Sequence, residues 1–269
     1  GTVTRVDLDG STDVIAHTGG GPNGAALGPD GGLYVCNNGG FEWNRTGKYL
    51  LPGEQAADYH GGSIQRVDLD TGEVETLYTH VDGHLLCGPN DLMFDHHGGF
   101  WFTDHGKIRA RERDRGGLYY GLADGGEVRE VAYPLDGPNG VGLSPKGDRV
   151  YAAETQAGRV LYWNVGAPGE LAAGELPRGR FLAAPGGNKL FDSLAMDADG
   201  NVSVATIATG GISTFTPDGG ELDFYATDDP LTTNIAFGGD DLRTAYITLS
   251  GTGRLVAAEW PRPGLALPH

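Results

Sequence analysis

Cysteine, methionine and positive charge are scarce in this chain, and each shortage excludes something. Two cysteines, Cys36 and Cys87, cannot make a disulfide framework for 269 residues. Each sits in or beside an apolar run, so buried thiols are expected, with one disulfide as the other option. Neither has the CxxC or Cys/His spacing of a zinc site. Lysine and arginine number 19 against 36 aspartates and glutamates, a formal net charge of -17. That balance argues against nucleic acid or an anionic membrane surface as partner. No apolar run approaches the roughly 20 residues that span a bilayer. No signal peptide is visible, so the cytoplasm is the default expectation. The eight histidines form no HExxH pair, and no GxSxG elbow supports a serine hydrolase.

Glycine, by contrast, is abundant at 47 residues. Without a triplet period, that implies many tight turns and an all-β chain. A hydrophobic share of 39% argues against disorder.

The turns recur in register. "GPNGAALGPDGGLYVCNN" starts at Gly21, "GPNDLMFDHHGGFWFTD" at Gly88 and "GPNGVGLSPKGDRVYAAE" at Gly137. "LFDSLAMDADGNVSVAT" starts at Leu190 and "LTTNIAFGGDDLRTAYIT" at Leu231. One aligned column holds Asn23, Asn90, Asn139, Asp192 and Thr233, spaced by 67, 49, 53 and 41 residues. Eight residues after the first four come Gly31, Gly98, Gly147 and Gly200. Each unit reads as a β-hairpin followed by two more short strands, and such units arranged radially make a β-propeller. The expectation is a single propeller domain over 1–269, with an insertion lacking strand alternation at about 39–61.

In a propeller the first strand of each unit lines the central channel, and its leading residue stands at the channel mouth. The polar column would then form a ring around one axis. A lone Asn at a strand start is better read as satisfying a turn. The same column in unit after unit favours a shared site. The units do not close evenly. "GTVTRVDLDGSTDVIAH" reads as the outer half of a blade. "TNIAF", "AYITLS", "GRLVAAEW" and "GLALPH" read as a complete one. The expectation is therefore six blades, with roughly 30–40 residues preceding Gly1 in the natural protein. The alternative is an open ring closed by another chain.

The ordered series PNG, PND, PNG, DS and TN resembles the SMP-30/gluconolactonase/luciferin-regenerating enzyme family along essentially the whole chain. The resemblance implies a six-bladed propeller with one divalent cation at the mouth, most often calcium, and hydrolysis of a small-molecule lactone or ester. Magnesium, manganese and zinc are compatible alternatives. It implies Asn139, Asp192 and Ser193 as metal ligands and Asp192 as general base. Asn90 would contact substrate or a metal-bound water. An oxygen-only donor set suits a hard cation. Asp91, Asn23, Asp104 and His105 complete the expected substrate-binding set. His105 reads equally well as a turn cap, and Glu154 as structural.

Two departures stand out. The family's Glu ligand in an "EGP" motif is absent from this chain, and Gly88 stands where the animal sugar lactonases have an Arg. The second departure turns attention to a natural-product or aromatic lactone. Trp43, Tyr49 and Tyr59 in the insertion would suit such a substrate as a lid. A reading from another class is a non-catalytic propeller that binds a ligand on its channel face.

Overall fold

A computed structural model describes residues 1–269. Alternating apolar and polar residues across glycine turns produce 26 strands and no helix. Five sheets follow one another around an axis. The first blade is built from Pro22–Leu27, Leu33–Asn37, Ser63–Val67 and Val74–Tyr78. The second has Pro89–Phe94, Gly99–Asp104, Gly116–Leu122 and Val128–Leu135. The third has Pro138–Leu143, Arg149–Glu154 and Arg159–Ala167, with Arg180–Ala183 outside them. The fourth runs Leu190–Met196, Val202–Ile207, Gly211–Phe215 and Glu221–Ala226. The last has three strands, Thr232–Gly238, Thr244–Leu249 and Arg254–Glu259. Thr2–Val6 and Thr12–His17 form a separate two-stranded sheet.

The propeller expectation is borne out, and the glycine column has its reason in the backbone. Gly31, Gly98, Gly147 and Gly200 all have φ between +69° and +85°, a region that side chains with a Cβ enter only at a cost. The core lies between blades. Tyr34, Phe94, Phe100 and Phe102 fill the first interface, and Trp101, Tyr120, Val141 and Trp163 the second. Tyr151, Phe191 and Phe215 fill the third, and Ile212, Ile235 and Trp260 the fourth. Ala16, Val35 and Val67 seat the N-terminal hairpin on the first blade. Val6, Val14 and Leu27 remain 45%, 54% and 47% exposed at that end of the ring.

The chain supplies five blade sheets and, in the N-terminal hairpin, an outer half-blade with no inner strands beside it, as its sequence led one to expect. Two expectations are corrected. "GLALPH" does not complete the last blade. It crosses the channel floor, where Leu265 N–H donates to Met196 C=O at 2.9 Å and His269 packs edge-on to Phe94. Pro261 and Pro263 interrupt the chain between the last blade's third strand and this segment, which keeps it from continuing the ladder. The insertion is not structureless: Phe41–Thr46 and Tyr49–Gln55 pair as a hairpin arm. Both cysteines are free, with Cys36 buried and Cys87 half-buried.

Candidate active site

Every inner strand breaks register at the same place. Pro22 pairs with Asn37, but Ala25 pairs with Val35. Pro89 and Leu92 straddle the same irregularity, as do Pro138 and Val141, and Phe191 and Leu194. The last blade carries it between Thr232 and Asn234. One extra residue on one strand is a β-bulge, which re-aims side chains and often borders functional sites. The expected polar column lies in these bulges.

The bulge presses its following residue against the next inner strand. A Cβ on Gly140 would stand 2.5 Å from the Leu194 nitrogen and 2.7 Å from Ser193 Cα. Glycine is therefore required there for close backbone approach. The equivalent residue of the second blade is Asp91. It is buried, and its carboxylate accepts the Leu92 N–H at 3.0 Å and, across the blade boundary, the Val141 N–H at 3.4 Å. The Ser193 hydroxyl lies near enough to favour its charged form.

Asp192 stands close enough for the two carboxylates to repel. Burial pushes Asp192 up to about 7, and the Asp91 charge adds to that shift. Burial pushes Asp91 up to about 7 as well, against the hydrogen bonds it accepts. The Ser193 N–H and the Asn139 amide face the Asp192 carboxylate. Asn139 also donates through Nδ2 to Thr155 Oγ1 at 3.1 Å. Its Oδ1 is buried without a partner, and so is Oδ1 of Asn90. A buried acceptor left unmade costs about 1–3 kcal/mol.

These orphaned oxygens, beside two carboxylates and a serine hydroxyl, test whether a cation fits. They are oxygen donors only, carried by three neighbouring inner strands, and that donor chemistry suits a hard divalent ion. No three His, Cys, Asp or Glu side chains cluster into a cation cage in the chain. The donors are mixed amide and carboxylate instead.

Other expected site residues fall elsewhere. Asp104 is not available to substrate. It is buried, and its two oxygens accept the N–H groups of Cys87 and Gly88 at 2.7 Å and of Gly106 at 2.8 Å. Burial nevertheless raises it to about 6. Glu154 performs the same service for Asp136 N–H, and Asn37 for Gly21 and Gly39. His105 is half-buried, and burial lowers its pKa. A Cβ on Gly137 would stand 3.1 Å from its Nε2, so the ring lies against the turn that leads to Asn139. Asn23 is exposed. Thr233 is satisfied by Thr248 at 2.9 Å.

Two supporting residues have no counterpart in the sequence reading. Thr103 receives the Asp91 N–H at 3.3 Å and donates to the Asn139 carbonyl, tying the second blade to the third. Thr155 holds the Asn139 amide. Neither occupies a repeated column, so no sequence signal marks them.

The family model for the SMP-30/gluconolactonase/LRE-like region matches residues 1–251. A gluconolactonase of Zymomonas mobilis is 26% identical over 74% of this chain and 52% of its own length. A 6-deoxy-6-sulfogluconolactonase of Pseudomonas putida is 32% identical over 82% of this chain and 69% of its own. The chain spans about half the length of the first curated relatives it matches, 52% and 46%. Among solved structures, a Xanthomonas campestris gluconolactonase superposes over 98% of this chain and 78% of its own. The TM-score is 0.73 at 24% identity, a likeness of fold.

Proposed function

The chain belongs to the SMP-30/gluconolactonase/LRE-like family, and from that premise we propose that it opens lactones by hydrolysis at the bulge-lined channel mouth. Asn139, Asp192 and Ser193 hold one divalent cation, with Asp91 beside them. Calcium suits the donor set best. When bound, the ion supplies Lewis acidity toward the lactone carbonyl. Asp192 is partly open to the channel. As a carboxylate it takes the proton of the attacking water, and it then returns that proton to the leaving alkoxide. The Asn90 amide orients the lactone. Asp91, through Ser193 and Val141, holds the strands that carry these groups in register. The names of the relatives, gluconolactonase among them, support a lactone as substrate.

The observation that carries this reading is the pair of buried, partnerless amide oxygens of Asn90 and Asn139 beside the Asp91–Asp192 pair. Elemental analysis of protein purified without added metal or chelator tests it. About one divalent ion per chain is expected, lost from Asp192→Asn, together with turnover on a lactone panel. No ion, and none taken up from millimolar calcium or magnesium, would remove the metal site. An ion retained without turnover of any lactone would leave a binding propeller.

A further inference from the structure

Lys107 is the one basic side chain among the chain's largest fully buried residues, at 0% exposure. It follows the second strand of the second blade, in a loop whose other basic residues lie nearer the surface. No carboxylate pairs with it. Its ammonium donates to the Gly40 carbonyl at 2.7 Å and to Asn38 Oδ1 at 3.2 Å. It also stands 4.0 Å from the centre of the Phe41 ring and 5.3 Å from that of Tyr59. Burial pulls it down to about 8, and the charges of Asp104 and Asp114 work against that fall. At neutral pH the ammonium is still charged. A desolvated cation is drawn to aromatic faces by the ring quadrupole.

All four partners belong to one segment. Asn38, Gly40 and Phe41 enter the 39–61 insertion, and Tyr59 leaves it. The arm between them reaches from the first blade to the last. Leu50 N–H donates to Gly251 C=O at 3.0 Å, in the turn after Thr244–Leu249. Beside Lys107, Arg109 donates to Gln55 on the arm at 3.0 Å while Asp114 grips its guanidinium at 2.7 and 3.1 Å. Tyr59 closes the stem by donating to Cys87 C=O at 2.7 Å. The arm springs from the end of the first blade where Pro22 pairs with Asn37, which is the mouth end.

We infer that Lys107 is the positioning residue of the mouth arm. Its ammonium clamps both ends of the insertion onto the second blade, and so fixes the arm that runs from the first blade to the last. A cation suits this place because carbonyl, amide and aromatic faces all present negative charge to one point. A neutral side chain of the same length satisfies none of them.

The arm carries its own reporter. Arg45 and Lys48 are exposed near its tip, so trypsin cuts there when the arm opens. Cleavage of a transiently open segment tracks the population of the open form. Lys107→Met is expected to raise the nicking rate at Arg45 and Lys48 by about tenfold or more, with cleavage elsewhere unchanged and the melting temperature lowered by only a few degrees. Nicking at the parental rate would overturn the inference. So would faster cleavage spread evenly along the chain, which marks a general loss of stability. Should Lys107→Met not fold, Phe41→Leu removes the closer ring and leaves the lysine in place. Reductive methylation of the parent labels Lys48, Lys146 and the half-buried Lys189 and spares Lys107. In Phe41→Leu the label reaches Lys107. A Lys107 as protected as in the parent would refute the clamp. Neither readout depends on lactone turnover, so the inference and the proposed function fail separately.

Discussion

Two polar columns stand at the same end of this propeller, and their hydrogen bonds separate them. At the ends of the second strands, Asn37, Asp104 and Glu154 spend their oxygens on backbone N–H groups of the loops that enter the inner strands. At the starts of the inner strands, Asn90 and Asn139 bury an oxygen with no partner. Residue types are nearly the same in both. The first column stabilises. The second holds groups at a cost, which a structure tolerates where the groups have something else to bind. A ring of asparagines and aspartates is thus not a site by composition. It becomes a site where its hydrogen-bonding capacity is left over.

The sharpest break of that comparison substitutes one acid from each column. Asp192→Asn is expected to reduce lactone turnover by about 10²–10⁴-fold, the usual worth of a general base, and to abolish metal uptake. Chemical denaturation should show stability unchanged or raised, because a carboxylate repelled by Asp91 has been removed. Asp104→Ala should do the reverse. Three N–H groups, two of them buried, lose their acceptor, at about 3–5 kcal/mol in all, while the folded fraction still binds metal. If both variants lost stability alike and kept the metal, the two columns would be one structural device.

Much of this was legible in the sequence because the repeats force it. The Asn/Asp column and the positive-φ glycines recur together, eight residues apart in four units, so the repeat alone reveals the hairpins and the shared axis. Asp104 misled because its position beside the mouth says nothing about where its carboxylate turns. That choice is made by Cys87 and Gly88, which the chain brings back from the preceding loop. The arm misled through "YLLPGEQ", whose adjacent leucines and Pro52 break the strand alternation that the pairing of Trp43 with Pro52 nevertheless tolerates. Lys107 stands just before a stretch, 109–115, in which every second residue is an arginine, and nothing in its sequence sets it apart from them. Its burial depends on Asn38 and Gly40, 69 and 67 residues earlier. Trp43, expected over the mouth, is 57% exposed, while Tyr59 is spent on Cys87 and the lysine.

Titration sharpens the comparison with a smaller effect. Burial raises Asp91 and Asp192 to about 7 in the folded, metal-free chain, against about 3.9 when unfolded. Between those values the folded state binds more protons than the unfolded state. Stability therefore falls as pH rises from about 4 to 7. Melting temperatures in chelator from pH 5 to 8 should drop across this window, and Asp192→Asn should flatten the drop. The difference between parent and variant isolates the pair from the general repulsion of a chain with net charge -17. A difference independent of pH would mean that the two carboxylates do not share a site.

The smallest expected effect is the most discriminating about where the site ends. Asn23 occupies the same repeat column as Asn90 and Asn139, but it is exposed and has no orphaned oxygen. If the column acts through unspent buried capacity, Asn23→Ala changes stability by less than about 0.5 kcal/mol, as surface substitutions do. Isothermal titration should find metal affinity within about twofold of the parent, a shift of about 0.4 kcal/mol. A loss comparable to that of Asn139→Ala would show that column membership matters more than burial. The first blade would then belong to the site, and the contrast between spent and unspent oxygens would have to be redrawn around all of the inner strands.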